Sequence, residues 1–165
     1  MSLLHILKLA IQLPKKQALF QLNRISMRDT LVYLFLLFFI AFLPNAFINV
    51  QQFDYAEQVV SYSQYLLQVI VTYPFLIMFF VVSGVSILAL PAWFLSIGLN
   101  RKLAYQQLWK MTGFALLFPI ISYLILFYSP ISNYIAASIS GLLLYSLLCK
   151  MILIYPKRKK RSVHH

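Results

Sequence analysis

Residues 66–99 read LLQVIVTYPFLIMFFVVSGVSILALPAWFLSIGL, 34 consecutive positions without a formally charged side chain. A surface that meets water must be largely polar, and an ordinary soluble domain has about a quarter of its residues charged. A single helix of this length would measure about 51 Å, too long for a hydrocarbon core of about 30 Å, whereas two spans would need about 40 residues plus a turn. The stretch is read as one transmembrane span at residues 70–90. An interfacial extension follows Pro91, and Trp93 stands at the boundary.

The same character extends outward in both directions. The chain has 165 residues, 62% of them hydrophobic and 10% charged, and its mean hydropathy is +0.82. Upstream, residues 31–50 form a 20-residue apolar run that would cover about 30 Å as a helix. Asp29 and Thr30 are placed to cap it, and Pro44 with Asn45 predicts a kink or an early unwinding near its far end. Downstream, residues 111–128 form a third span with Pro119 inside it. Residues 129–133 make a tight turn, and residues 134–154 form a fourth span closed by Tyr155 and Pro156. The predicted fold is all-α: one polytopic integral membrane domain over residues 30–154 with four transmembrane helices. A cytoplasmic-face amphipathic segment, 1–29, precedes it, and a polybasic tail, 155–165, follows.

The first 29 residues are amphipathic. Ser2, His5, Lys8 and Gln12 share one helical stripe, opposite a wide apolar face of Leu3, Leu4, Ile6, Leu7, Leu9 and Ile11. Thirteen residues are too few to span, so a helix lying in the interface is expected, ended by Pro14. A second amphipathic stretch sets Gln17, Gln21, Arg24 and Arg28 against Ala18, Leu22 and Ile25. Lys15 and Lys16 follow the apolar run instead of preceding it, and no small-residue cleavage site comes after, so the segment is read as retained.

Charge supplies a second, independent signal. Bases near span ends stay on the cytoplasmic side. The N-terminal segment holds Lys8, Lys15, Lys16, Arg24 and Arg28. The loop between the second and third spans holds Arg101, Lys102 and Lys110. The C-terminal segment holds Lys150, Lys157, Arg158, Lys159, Lys160 and Arg161. These are all 14 bases of a chain whose net charge is +11. A different number of spans would strand a basic cluster outside. The reading is therefore a multi-pass membrane protein with both termini cytoplasmic. The outer loop, 51–68, holds Asp54 and Glu57 and no base, with Phe53, Tyr55, Tyr62 and Tyr65 suited to an aromatic belt. Because the bases cluster between apolar runs, membrane is favoured over nucleic acid as the origin of the charge.

Motifs for chemistry are sparse. The span cores hold no ionisable residue of the kind that marks intramembrane catalysis or ion translocation, and Lys110 and Lys150 are read as edge residues that snorkel to the headgroups. Asp54 and Glu57 offer two carboxylates where calcium takes six to eight oxygens. His5, His164 and His165 are scattered, and Cys149 stands alone, so neither a disulfide nor a thiolate zinc site can form. Cys149 is either an S-acylation position or an apolar helix residue. The span serines lack a base, and no phosphate loop or hydrolase signature is present. No metal, cofactor or catalytic residue is expected. Ser132, Ala136 and Ser140, with Ala137 and Gly141 beside them, provide small residues for close helix packing.

Residues 13–29, LPKKQALFQLNRISMRD, followed by an aromatic-rich span, and residues 101–112, RKLAYQQLWKMT, leading into a proline-containing span, resemble a family of uncharacterised Gram-positive bacterial membrane proteins. That family is catalogued as domain of unknown function 1189 and is related to Yip-type membrane proteins, and some members bear a maltodextrin-utilisation label. The resemblance implies a protein of a bacterial plasma membrane and supplies no catalytic residues. Longer members have a larger outer domain after the first span, where this chain has residues 51–68.

The expected function is non-enzymatic: an accessory or scaffold protein whose basic face contacts anionic lipid headgroups or another membrane protein. The contact residues would be Lys15, Lys16, Arg24, Arg28, Arg101, Lys102, Lys157, Arg158, Lys159, Lys160 and Arg161, each worth about 1 kcal/mol near an anionic surface. Simple topological anchoring by the same charges is the competing account of the tail. The alternative function is a small transporter or transport-complex subunit. There Asn45, Asn49, Gln68, Thr72 and Ser83 would line a polar path, and Pro44, Pro74, Pro91 and Pro119 would mark broken helices.

Overall fold

Apolar sequence this dense has to satisfy its backbone internally, and helices do so within one segment. The computed structural model describes residues 2–51, 61–130 and 132–157, with the side chains at 45–47 and 49–51 outside that description. Among these residues the chain forms seven α-helices: α1 (Leu3–Ile11), α2 (Lys16–Asn23), α3 (Met27–Gln51), α4 (Tyr62–Gly98), α5 (Tyr105–Ala115), α6 (Leu117–Phe127) and α7 (Asn133–Ile154). α3, α4, α5 with α6, and α7 are each long and apolar enough to cross a membrane. The protein is all-α, with the four spans of a multi-pass membrane protein.

Helix edges depart from the sequence reading where capping decides them. α3 starts at Met27 because Ser26, not Asp29 or Thr30, is the cap. The Ser26 hydroxyl accepts from the Asp29 N–H at 3.1 Å, and its carbonyl accepts from the Thr30 hydroxyl at 2.9 Å. α3 continues as helix through Pro44 to Gln51, so no unwinding follows that proline.

The predicted span 70–90 is the middle of one 37-residue helix, α4, which at 1.5 Å per residue is about 55 Å long. Pro74 and Pro91 stay inside it. Its start is fixed by a capping box of Ser61 and Gln64. Its end is a Schellman turn: Asn100 adopts a left-handed φ of 52°, while the Arg101 and Asn100 N–H groups donate to the carbonyls of Ser96 and Ile97 at 2.9 Å each.

The predicted third span, 111–128, is two helices. α5 begins at Tyr105, within the basic segment between the second and third spans, and the break falls at Leu116. Pro119 has no N–H to return to the Ala115 carbonyl, which weakens the ladder at this point. α7 begins at Asn133 and ends at Ile154, with Ala136, Ser140, Leu144 and Leu148 buried in a four-residue repeat.

The core is not centred. α1 and α2 pack under the bundle and contribute Ile6, Leu9, Ala18, Leu19 and Leu22 to it, against Leu34, Leu108, Phe114, Leu148 and Met151. Every residue of α5 from Leu108 to Ala115 is buried. Ala18, Leu22 and Ile25, the predicted apolar face of the second amphipathic stretch, all point inward. α1 divides its apolar face: Ile6, Leu9 and Ala10 are buried, whereas Leu3, Leu4, Leu7 and Ile11 are exposed. Leu3, Leu4 and Leu7 flank a groove shared with Tyr33, Leu36 and Ile40 of α3, so α1 lies alongside the first span.

Candidate functional site

The three basic segments meet at one end of the bundle, and backbone and side-chain contacts hold them there. Arg101 and Lys157 form an isolated antiparallel bridge, and the Lys102 N–H donates to the Pro156 carbonyl at 3.2 Å. The Arg101 guanidinium donates from Nη1 to the Tyr155 carbonyl. The Asn23 amide, at the end of α2, donates to the Tyr155 hydroxyl at 2.8 Å. The Tyr155 ring packs against Phe20 with centroids 5.3 Å apart. Burial raises the Tyr155 pKa above its ordinary 10.0, and the Asn23 hydrogen bond opposes that rise.

At the centre of this end is Lys110. The sequence placed it at a membrane edge, reaching out to headgroups; in the fold it is 8% exposed. Its ammonium turns inward and donates to the carbonyls of Asn23 at 2.6 Å and Ile25 at 2.9 Å. Those carbonyls lie where α2 ends, a point with orphaned acceptors and partial negative charge. A buried ammonium needs such partners, and α5 can bring it to them because α2 packs on α5. Lys110, Asn23 and Tyr155 were not identified as site residues from the sequence. A lysine set between Trp109 and Met111 at the head of an apolar run is the one signal that pointed toward it.

The predicted contact residues are distributed around this hub. Lys15, Lys16, Arg24, Arg28, Lys102 and Lys157 are exposed, and Arg101 is half-buried. Arg28 is paired with Asp29 at 3.8 Å. Arg158, Lys159, Lys160 and Arg161 lie outside the described residues, as do Asp54, Glu57, His164 and His165. Among the described residues no three His, Cys, Asp or Glu side chains come together as metal ligands.

The proposed polar path does not assemble on α4. Gln68 and Thr72 are exposed and Ser83 is half-buried. Each stands nine residues, about two and a half turns, from buried Ile77, Val81 or Ala92, and so on the opposite side of the helix. The Asn45 and Asn49 side chains are outside the description. A cavity of about 320 Å³ does lie between α3, α4, α6 and α7, but its walls are apolar, among them Phe38, Phe42, Leu88 and Pro119. Ser140 and Tyr123 are its polar members.

Fold and site together define a small helical multi-pass membrane protein with a packed, cation-rich end. Comparison with protein-family models, with curated proteins and with solved structures finds no match to this chain.

Proposed function

We propose that this is a non-enzymatic accessory or scaffold protein of a bacterial plasma membrane, whose basic end faces the cytoplasm and engages anionic headgroups or an acidic partner. The observation that carries the reading is the joining of three basic segments, distant in sequence, into one end of the bundle: Arg101 meets Tyr155 and Lys157, and Asn23 meets both Tyr155 and Lys110. Surface cations beside an anionic leaflet gain from it in proportion to their number, and Lys15, Lys16, Arg24, Lys102 and Lys157 are exposed. Membership of the family resembled by residues 13–29 and 101–112 is part of the same proposal. Both stretches lie in this end, where residues 13–25 supply α2 and residues 105–112 supply most of α5. A transport role would require Gln68, Thr72 and Ser83 to turn inward from the side of α4 that they occupy.

The test uses the full chain in bilayers of phosphatidylcholine with a minority of phosphatidylglycerol. Spin-labelled phosphatidylglycerol should show a larger motionally restricted fraction than spin-labelled phosphatidylcholine. Glutamine at Lys15, Lys16, Arg24, Lys102 and Lys157 together should remove the difference. Equal fractions in the unsubstituted protein would end the lipid half of the proposal.

A further inference from the structure

A groove of about 720 Å³ runs along α4 beside α7, walled by Leu90, Pro91, Phe94, Leu95, Gly98 and Tyr145. The α4 members recur at one and four residues, so they form a straight stripe along one side of the helix. Leu90, Phe94 and Leu95 are exposed, and the volume falls within the range of sites that hold small molecules. Gly98 leaves the stripe open near its end: a Cβ built there would meet nothing within 4 Å.

The groove leads into the Schellman turn, and three residues past Gly98 the chain presents Arg101. A guanidinium has five N–H donors. Among the described residues the one side-chain hydrogen bond of Arg101 is from Nη1 to the Tyr155 carbonyl, and its Nε is buried without a partner. Lys157, bridged to Arg101 through the backbone, and Lys102 add two exposed charges to the same corner. Asp29, the one acid among the described residues, is beside Arg28 and not here. Excess positive charge therefore begins two residues along the chain from Leu99, the last residue of the groove's apolar wall.

We propose that this groove is a site for a single anionic phospholipid drawn from the surrounding bilayer. One acyl chain lies along Leu90, Phe94 and Leu95, and the phosphate is held by the Arg101 guanidinium with Lys102 and Lys157. Arginine suits this role because its planar fork matches phosphate oxygens two at a time. A free phosphate would use the corner and leave the channel empty, while a neutral lipid would use the channel and leave the charge uncompensated. The proposal rests on the anionic-lipid reading of the basic end and narrows it from a surface to one position.

Trp93 reports on the site, since it is exposed and its ring lies 5.2 Å from that of Phe94 in the wall. Trp109 is buried. The full chain is reconstituted in phosphatidylcholine vesicles containing brominated phosphatidylglycerol or brominated phosphatidylcholine, and quenching of tryptophan emission is titrated. At low mole fraction, phosphatidylglycerol should quench preferentially. Arg101→Gln should weaken that preference about fivefold. Gly98→Leu should fill the channel and lower quenching by brominated phosphatidylglycerol, with an unchanged thermal unfolding curve showing that the bundle is intact. Preference retained in both variants but lost when residues 157–161 are neutralised would overturn the groove site and leave the general reading standing. No preference in the unsubstituted protein would overturn both. Absence of quenching by either lipid, with cross-linking of two chains through residue 94, would give the groove to a second copy and overturn the proposal.

Discussion

Removing an ammonium group from water costs several kcal/mol unless charge-complementary acceptors replace the lost hydration. Lys110 has two such acceptors, the Asn23 and Ile25 carbonyls, at a helix end whose dipole adds to the attraction. Lys110→Met keeps the stem and removes the charge. It should lower unfolding free energy in detergent by about 2–3 kcal/mol, the worth of charge-assisted bonds to acceptors left without replacement. Tyr155→Phe should cost about 1 kcal/mol by breaking the Asn23 bond. Its pH dependence follows from the raised pKa. The unfolded chain ionises Tyr155 first, so the stability this hydroxyl contributes is complete below pH 10.0 and is lost as pH rises through the folded-state value. The gap between the unsubstituted protein and Tyr155→Phe should accordingly be flat up to that pH and narrow above it, as denaturant titrations at several pH values would show.

Between elements, the contact of α3 with α5 depends on Gly113. A Cβ there would lie 2.9 Å from Leu34 Cδ1 and 3.3 Å from Leu34 Cδ2, and Leu34 is fully buried. Gly113→Ala should therefore destabilise by about 1–3 kcal/mol through overpacking, while Gly84→Ala, with open space around it, should be neutral or better. A thermal-unfolding comparison of the two variants tests this. Helix starts have a smaller, separable term: Ser26→Ala should cost about 1 kcal/mol by uncapping α3. Two hydrogen bonds from α5 converge on one residue of α4, with Tyr105 donating to the Ser86 carbonyl and Trp109 to the Ser86 hydroxyl, both at 3.0 Å. α5 starts at Tyr105, where the Gln107 side chain accepts from the Ala104 N–H at 3.1 Å and satisfies a backbone donor at the helix start.

Across the whole molecule, burial is concentrated at the basic end, where α1 and α2 reinforce the bundle. Toward the start of α4 the large side chains Leu67, Ile70, Phe75 and Phe79 are exposed, a surface suited to hydrocarbon. The orientation proposal makes a direct prediction. In a Cys149→Ser background, single cysteines within residues 52–60 should react with a membrane-impermeant maleimide in intact cells, and cysteines at 16 or 157 should react only after lysis. The reverse pattern would invert the protein and remove the cytoplasmic reading. Much of the basic end was legible beforehand, because Lys15, Lys16, Arg24 and Lys102 are charged and flank apolar runs. Arg101 was placed in the right segment, but its half-buried attachment to Tyr155 was not legible.

By itself the sequence determined the helical class, the four apolar stretches and the grouping of bases between them. Hydropathy and charge act residue by residue against the solvent, so they can be read in one dimension. The tertiary structure decided what depends on neighbours from elsewhere in the chain. Asn23 meets Tyr155 across 132 positions, and Lys110 reaches Asn23 and Ile25, at and just past the end of α2, across 87 and 85 positions. The inward turn of Lys110, the docked edge of α1 and the groove between α4 and α7 arise because packing competes with lipid for the same apolar faces. Periodicity shows that a face exists; the neighbouring helices determine what it meets.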